Sequence, residues 1–345
     1  MTQAVVEIVK LDKFGQVPNS DFLNVTEIGG YTVVFRKDQF KPGDKALFIG
    51  IDSVLPEPVK KHYELTEFVS NKVKTKKLRG IYSQGLLLPL TYPGIEGAVE
   101  GQDVRELLGI TKWKPPFIPE FGIAPWPDGR MIKYDIENLQ VPKYVDVFAD
   151  GEHCSVTEKI HGCHTANCII GDNFFVTARN VGVNKPVEGK NQYWVPVIKR
   201  DIEKTLREMS KFYNEPNIIL RGEIYGPKVQ FLDYGIEEPD VLFYDIELGI
   251  NKYQRENQFR AIAWEWKLPT VPLLYEGPFS KEKIDELAEK DSTVAMNNKK
   301  KQISEGVVVK PLDECSVYPL LSRKILKRIS KRYAEKSADE KENDG

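Results

Sequence analysis

The chain has 345 residues, which exceeds the usual size of a single hydrophobic core and predicts two domains. Its hydrophobic content of 41% and charged content of 29% are those of an ordinary globular protein, and its net charge of −2 excludes a strong overall basic field. Any nucleic-acid surface must therefore come from local clusters of cations. No apolar run approaches the roughly 20 residues that span a bilayer, so we expect a soluble protein that does not bind membranes.

The cysteines and the first residues bear on the cellular compartment. None of the cysteines forms a closely spaced pair, and residues 1–11 lack the apolar core of a signal peptide, so we expect an intracellular, cytoplasmic or nuclear location. Zinc is one alternative because cysteines and histidines lie near each other, but structural zinc sites usually use tighter pairs, which favours small buried thiols. The residues concerned are Cys154, Cys163, Cys168, His153, His161 and His164.

Residues 1–110 are predicted to form an all-β domain. Short β-branched and aromatic runs at 4–9, 31–35, 45–49 and 80–89 alternate with turn residues. Frequent short strands in about 100 residues favour an OB-like barrel. A cluster of cations in this domain is either a solvated strand edge or a surface that follows the phosphates of RNA. Its members are Lys72, Lys74, Lys76, Lys77 and Arg79.

Residues 111–129 are predicted to connect two domains, because their five prolines fix φ and remove backbone donors. Residues 130–333 follow as a second domain in which strands alternate with a few helices. Apolar residues at spacings of three and four predict helices over 197–213 and 281–290. The stretch 334–345 is polar enough to be a disordered tail.

Charged residues recur inside apolar segments of the second domain. The segments are 155–162, 218–226, 241–246 and 304–311. Burying an unpaired carboxylate or ammonium is costly, so charges in such surroundings indicate a shared polar site. A purely structural ion pair between Lys159 and Glu305 is the alternative explanation for some of them.

The order and content of these segments resemble the motifs of the covalent nucleotidyltransferase superfamily, which comprises ATP-dependent ligases and GTP-dependent capping enzymes. Residues 159–162, Lys-Ile-His-Gly, resemble motif I, and residues 305–310 resemble motif IV. Histidine at position 161, where capping enzymes and DNA ligases usually have aspartate, is similar to RNA ligases that repair nicked duplex RNA or edit transcripts. The remaining resemblances are Arg179 to motif Ia, Glu223 to motif III, Tyr244-Asp245-Ile246 to motif IIIa and Leu326-Lys327-Arg328-Ile329 to motif V.

The N-terminal barrel is similar to the branch of RNA ligases that carries an OB domain first. The resemblance implies a mixed fold, with an OB-like barrel followed by an α+β nucleotidyltransferase domain built on antiparallel sheets. It also implies a monomeric ATP-dependent RNA ligase that forms phosphoric ester bonds at nicks in duplex RNA or RNA/DNA hybrids, for RNA repair. Lys159 would attack the α-phosphorus of ATP to give lysyl-AMP, AMP would pass to the 5′-phosphate, and the 3′-OH would then expel AMP.

The resemblance also implies a role for each matched residue. Lys310 and Lys327, together with a metal ion, would lower the pKa of Lys159 and stabilise charge on the α-phosphate. Glu305 would bind Mg²⁺ or Mn²⁺, and Tyr244 would stack on adenine. The other nucleotide contacts would be Glu158 at the adenine edge, Glu223 at the ribose, Arg179 at the ribose or the RNA end, and Gly162.

Three assignments stay open at this level. Lys324 competes with Lys327 for the α-phosphate. Only one of them can point at it, because the two face opposite sides of a strand. His161 is either a functional or a structural histidine. Arg221 either contacts RNA or pairs with Glu223, on the same face two positions later. A DNA ligase, a GTP-dependent capping enzyme and a non-catalytic RNA-binding protein are the rival interpretations.

Overall fold

A computed structural model gives the coordinates of the protein, and backbone contacts divide the chain into two compact units. The first unit comprises Met1–Pro116, Glu137–Val147 and Ala334–Gly345, and the second comprises Phe117–Ile136 and Phe148–Tyr333. The first unit thus includes two segments that the division made from sequence placed elsewhere. The described residues are 3–18, 20–29, 31–113, 123–124, 134, 136–178, 181–186, 191–317, 320 and 322–343. Most of the predicted connector, residues 111–129, lies outside them.

The regular secondary structure of residues 3–113 consists mainly of short strands. In chain order the elements are β1 (Val6–Lys10), β2 (Gly15–Gln16), β3 (Leu23–Ile28), β4 (Tyr31–Arg36), β5 (Lys45–Gly50), β6 (Ser53–Val54), α1 (Glu57–His62), β7 (Lys76–Leu78), β8 (Ile81–Ser83), β9 (Gly85–Leu88) and β10 (Thr111–Lys112). Strands β1, β5 and β9 form one antiparallel sheet, and β2, β3 and β4 form another. Pairing among the described strands does not run round a closed barrel. An apolar core on the first of these sheets includes Ile8, Leu47 and Ile95.

The strand predicted over 80–89 is divided in the structure. Gly85, at the start of β9, has φ +144°, and a Cβ at this position would lie 2.6 Å from Cε2 of Phe48. Glycine adopts this backbone conformation without a steric cost and leaves room for the buried ring. The strand signal is therefore correct, but the strand is interrupted at Gln84, between β8 and β9.

The rest of the chain contains two larger sheets and their helices. The elements are β11 (Ile123–Ala124), β12 (Glu137–Asn138), a 3-10 helix (Pro142–Tyr144), β13 (His153–Lys159), β14 (Cys163–Ile170), β15 (Asn173–Thr177), β16 (Gly182–Val183), α2 (Trp194–Lys199), α3 (Ile202–Tyr213), β17 (Asn217–Tyr225), β18 (Asp240–Leu248), α4 (Glu256–Glu265), β19 (Leu273–Pro278), α5 (Lys281–Ala288), α6 (Thr293–Asn297), β20 (Gly306–Pro311), β21 (Ser316–Val317), β22 (Ser322–Arg323), β23 (Leu326–Ile329) and α7 (Lys331–Asn343). One sheet has the order β11-β16-β15-β14-β17-β18, and the second contains β23-β20-β13-β19. Pairs between the named strands of both sheets are antiparallel, as predicted for the α+β domain.

Each of these two sheets has one face covered by helices. On the first, Ile218 and Leu220 of β17 share an apolar core with Leu206 of α3 and Phe259 of α4. On the second, α5 packs against β20 and β23. Because successive side chains of a strand point to opposite faces, the charged residues that alternate with these apolar ones lie on the other face of each sheet.

The helix predicted over 197–213 is two helices, α2 and α3. Asp201 separates them with φ +50°, in the left-handed region that aspartate tolerates better than most residues. Arg200, at the end of α2, donates from Nε to Oδ1 of Asp240 on β18 at 2.6 Å. The apolar spacing continued through the break, so periodicity alone could not show it. The helix predicted over 281–290 is confirmed as α5.

The disordered tail predicted for residues 334–345 is wrong up to Asn343, because these residues continue α7. Ser330 accepts the N–H of Tyr333 at its Oγ at 3.2 Å, and Glu289 accepts the N–H of Lys331 at 2.7 Å. Both contacts satisfy donors that the first turn of a helix leaves without partners. Alanine, glutamate and lysine, which are good helix formers, then extend the helix.

Two observations concern the predicted compartment. Among the described residues, no helix combines the length and the apolar character needed to cross a membrane. Cys154 and Cys168 are buried, and burial raises the pKa of their thiols to about 11 and about 12. Both thiols are therefore protonated near neutral pH and pack as small apolar groups.

Glu7 makes the stability of the first unit depend on pH. Its carboxyl is buried on β1, and burial raises its pKa from 4.5 to about 7, with Lys143 partly opposing the shift. The folded state therefore binds a proton more tightly than the unfolded state. The contribution of Glu7 to stability is greatest below about pH 4.5 and falls as the pH rises towards and through about 7.

We expect Glu7→Gln to raise the midpoint of thermal unfolding at about pH 8 and to change it little at about pH 5, because glutamine has no charge to bury. The gain at the higher pH should be at most on the order of 3 kcal/mol. Unfolding followed by circular dichroism at both pH values measures it, with Glu67→Gln at an exposed position as the control. An equal effect at both pH values would contradict this account.

Candidate active site

Lys159 and Glu305 form a buried ion pair where β13 ends and β20 begins. Nζ of Lys159 lies 2.8 Å from Oε1 of Glu305, and the two side chains are 19% and 11% exposed. Burial opposes the ammonium, but Glu305 and Glu223 outweigh it and raise the pKa of Lys159. Burial also opposes the carboxylate, but Lys159 and His161 lower the pKa of Glu305 to about 2. Both partners are therefore charged in this structure, because carboxylates dominate the surroundings of Lys159. A lysine pKa lowered by cations that include a metal ion stays a prediction.

Lys310 and Lys327 lie on the same face of the sheet as Lys159. Lys159 lies opposite Gly306, and Lys327 lies opposite Val308. Gly306, Val308 and Lys310 alternate along β20, so they share one face, and directly paired residues of neighbouring strands also share a face. The three lysines that the sequence associated with the α-phosphate therefore share one face of the sheet, with Lys310 four residues along β20 from the partner of Lys159.

Lys324 has a different environment. Its Nζ lies 2.6 and 2.7 Å from the two carboxylate oxygens of Glu152, and 4.8 Å from the ring centroid of Phe148. It precedes β23 and is outside the strand. The strand register therefore favours Lys327 over Lys324 as the neighbour of Lys159.

His161 is fixed beside Glu305. Its backbone N–H donates to Oη of Tyr234 at 2.6 Å, and its Nδ1 lies 3.0 Å from Oη of Tyr333 and 3.6 Å from Oε2 of Glu305. Its ring centroid is 4.4 Å from that of Phe231. The histidine thus combines a structural position with direct proximity to the carboxylate of the ion pair.

Gly162 allows the chain after β13 to pass close to β17. A Cβ at this position would lie 2.0 Å from the carbonyl oxygen of Ile224, which is far inside contact distance. Only glycine permits this approach without a backbone shift. The glycine of the motif therefore has a packing reason in this structure, independent of any nucleotide.

Glu223 and Tyr244 lie on neighbouring strands of the other sheet. Glu223 on β17 faces His164 on β14 and is one of the two carboxylates that raise the pKa of Lys159. Tyr244 is the extra residue at a bulge where the register between β17 and β18 shifts. Its Oη lies 2.5 Å from Nδ1 of His164, and its carbonyl accepts from Nζ of Lys310 at 2.5 Å. The half-buried ring of Tyr244 thus stands close to the charged faces of both sheets.

Glu158 and Arg221 have protein partners that differ from the predicted contacts. Glu158 accepts from Oγ of Ser292 at 2.5 Å and from the N–H of Thr293 at 2.9 Å, at the start of α6. As the neighbour of Lys159 in a strand, it points to the opposite face. Arg221 is fully buried and lies 2.7 Å from Oε1 of Glu247, so its predicted RNA contact disagrees with its position. To contact adenine as predicted, the Glu158 carboxylate would have to give up its hydrogen bonds at the start of α6.

Two neighbours of the site were not singled out from the sequence. Arg323 lies 2.8 Å from Oδ2 of Asp245 and packs over the ring of Tyr253 at 3.6 Å. Glu256, the first residue of α4, accepts from Nζ of Lys310 at 3.1 Å. Glutamate is common in the first turn of any helix, so Glu256 gave no distinctive signal. Arg323 lies in a basic run next to Lys324, and no sequence pattern distinguishes it from the lysines there. Arg179, the residue matched to motif Ia, lies outside the described residues.

The cationic cluster of the first unit divides into partly buried and exposed members. Nζ of Lys72 lies 2.6 Å from Asp52 and 3.4 Å from the ring centroid of Trp113. Nζ of Lys76 lies 3.7 Å from the ring centroid of Phe68. The exposed members, which lie on or next to the hairpin of β7 and β8, are Lys74, Lys77 and Arg79.

The fold and the site together define a ligase in which an OB fold precedes the nucleotidyltransferase domain. An OB-fold model matches residues 5–90. A family model for RNA ligases matches residues 152–329, slightly more than half of the chain, and the chain therefore belongs to the RNA ligase family. This confirms the family that the motifs indicated. A search of curated protein sequences gave no match.

Solved structures of an RNA ligase from Naegleria gruberi are similar over almost the whole chain. A mutant described as apo has a TM-score of 0.80 and 26% identity, and the match covers 98% of this chain and 99% of that chain. The ligase with PPi has a TM-score of 0.78 and 26% identity, with 97% and 99% covered. A mutant with ATP and Mn has a TM-score of 0.79 and 26% identity, with 96% and 98% covered.

The two candidate lysines of motif V provide a matched pair of variants. For the lysyl-AMP chemistry that the motifs imply, we expect Lys327→Ala to slow transfer of AMP to the protein by about 100-fold, because it removes a cation from the face that carries Lys159. Lys324→Ala should stay within about threefold of the parent protein, since this ammonium pairs with Glu152. Single-turnover labelling with α-labelled ATP measures both rates. The opposite order of effects would show that the register argument is wrong.

Proposed function

We propose that this protein is an ATP-dependent RNA ligase that joins 3′-OH and 5′-phosphate ends through a lysyl-AMP intermediate at Lys159. The observation that carries the proposal is the buried Lys159–Glu305 pair, on a sheet face shared with Lys310 and Lys327, inside the region matched by the RNA ligase family. The solved structures of the Naegleria gruberi RNA ligase with ATP and Mn, with AMP and Mn, and with PPi support the same nucleotide and metal here.

In the proposed first step, Nζ of Lys159 forms a bond to the α-phosphorus of ATP while the bond to the pyrophosphate oxygen breaks. An amine attacks only in its neutral form, so the ammonium must first release a proton. In the structure, Lys159 keeps this proton because Glu305 and Glu223 stabilise the positive charge of its ammonium. Any change that offsets the charge of Glu305 therefore promotes the attack, while Lys327 on the same face would balance negative charge that develops on the phosphate.

The carboxylates beside Lys159 fit a divalent cation. Glu305 is ionised, and Glu223 is close enough to influence the same ammonium. In the part of the chain that the structure describes, no group of three or more such side chains could hold a metal by itself, so Glu305 would share the ion with substrate oxygens. A bound Mg²⁺ or Mn²⁺ would supply positive charge that offsets both the phosphates and Glu305.

The proposed nucleoside contacts use the other sheet. The ring of Tyr244 would stack on adenine. Its hydroxyl contacts His164, and its carbonyl accepts a hydrogen bond from Lys310. Glu223 would accept hydrogen bonds from the ribose hydroxyls. Step two would transfer AMP from Lys159 to a 5′-phosphate, and in step three the 3′-OH would displace AMP. We propose nicks in duplex RNA or RNA/DNA hybrids as the substrate and RNA repair as the role.

Labelling tests the nucleophile and the nucleotide together. Protein incubated with α-labelled ATP and a divalent metal should become labelled, while Lys159→Ala and Lys159→Arg should not, because neither side chain offers an attacking amine at neutral pH. Thermal unfolding of each variant serves as the folding control. Label taken from GTP alone would point to a capping enzyme, and persistent labelling of Lys159→Ala would place the nucleophile elsewhere. Labelled protein that seals nicked DNA but not RNA would favour a DNA ligase.

The exposed cations of the first unit provide a test of RNA binding. Replacing Lys74, Lys77 and Arg79 together with glutamine should lower nick sealing by about tenfold or more and reduce its salt dependence, because fewer counterions are released on binding. Lysine labelling by ATP should be unchanged. The matched control removes three exposed lysines of the second unit, Lys204, Lys211 and Lys281. Sealing of nicks whose 3′ and 5′ strands are RNA or DNA in turn defines the substrate. Loss of labelling, or equal sealing, would contradict the assigned surface.

A further inference from the structure

Lys310 is surrounded by acceptors that belong to the protein. Its Nζ donates to the carbonyl oxygen of Tyr244 at 2.5 Å and to Oε2 of Glu256 at 3.1 Å. It also lies 3.6 Å from Oδ2 of Asp245, and only 4% of the residue is exposed. An ammonium has three protons to donate, and these three acceptors lie around it. The amine is therefore directed at the protein rather than into open space.

These contacts connect the two large sheets of the second unit. Lys310 belongs to β20, in the sheet that carries Lys159, whereas Tyr244 belongs to β18 in the other sheet. Tyr244 is the bulged residue of β18, and a bulged residue is only weakly fixed by the ladder of its own sheet. The Lys310 ammonium thus provides a hydrogen-bonded contact for a residue whose register in β18 is irregular.

Glu256 holds this ammonium in position. It is buried at the start of α4, its second oxygen lies 2.8 Å from Nη2 of Arg260, and α4 packs against β18. Asp245, which also neighbours the ammonium, pairs with Arg323 at 2.8 Å. Removing one partner from a buried charge pair leaves the other without compensation, so a change at Glu256 would be transmitted through Lys310 to Tyr244.

We propose that Glu256 and Lys310 are positioning residues that fix Tyr244 and thereby set the preference for adenine over guanine. The inference rests on the proposed function, in which the Tyr244 ring stacks on the base. Lys310 then acts through the backbone of Tyr244 and not on the α-phosphate, which departs from the role implied by its place in motif IV. When the contact between Lys310 and Tyr244 is lost, the ring shifts with the bulge and the base pocket accepts guanine more readily.

Base preference and rate separate this role from a direct contact with phosphate. Labelling with α-labelled ATP and GTP is compared for the parent protein, Glu256→Gln and Lys310→Met. We expect the KM for ATP to rise about tenfold and the ATP-over-GTP preference to fall about tenfold, with kcat at saturating ATP within about threefold. A contact with the α-phosphate would instead lower kcat about 100-fold for both nucleotides and leave the preference unchanged, which would overturn the proposal.

Two further variants complete the test. Asp240→Asn is the matched control. Asp240 is a buried carboxylate on β18, four positions before Tyr244, and it pairs with Arg200. It should lower the thermal midpoint without changing the base preference. Glu256→Asp keeps the charge but withdraws the carboxylate by one methylene, and it decides the question if Glu256→Gln does not fold. A parent protein that takes no label from ATP would refute the proposed function, whereas a labelled parent whose variants keep their preference would refute only the positioning role.

Discussion

Charge that is buried on the polar faces of two sheets must be paired, and the second unit is organised around this constraint. Lys159 pairs with Glu305, Lys310 with Glu256, and Arg221 with Glu247. Each pair has lost most of its water, and loss of either partner would leave a costly buried charge. A shift of one residue in strand register would turn Lys159 towards the face covered by helices, so the same pairs also specify the register.

The constraint that stabilises the fold also restrains the chemistry. Glu305 keeps the Lys159 ammonium charged, and a charged ammonium is not a nucleophile. Under the proposed function, the nucleophile Lys159 is therefore held in a protonation state that does not attack. Glu305 stabilises the fold by pairing with Lys159, and the same pairing opposes the deprotonation that the proposed reaction needs. Such a trade-off between stability and activity is common at active sites.

Much of the architecture could be predicted from the sequence, for identifiable reasons. The β-branched runs before residue 90 and the charges inside strands depend on local pattern, and both are found in the structure. The order of Lys159, Glu223, Tyr244 and Glu305 predicted a family that the comparisons confirm. Their assigned roles stay predictions, although the structure brings these four residues close to one another along two sheets.

Other features depend on partners that sequence patterns do not reveal. Asp201 interrupts an apolar repeat that continues on both sides, so only its left-handed backbone shows the break. Arg221 has its carboxylate partner on the next strand, at Glu247, rather than at the glutamate two positions away that sequence suggested. Residues 334–343 are polar and were expected to be disordered, but contacts at Ser330 and Glu289 begin a helix there.

The helix α7 also bears on how the protein folds. Within the first unit, Oη of Tyr82 donates to the carboxylate of Asp339 at 3.0 Å, across 257 positions of sequence. Contacts between such distant segments carry a large loop-closure entropy and tend to form late. During synthesis, residues 3–113 must leave the ribosome long before their helical partner is made. Residues 3–113 are thus translated first but are among the last to acquire their complete set of contacts.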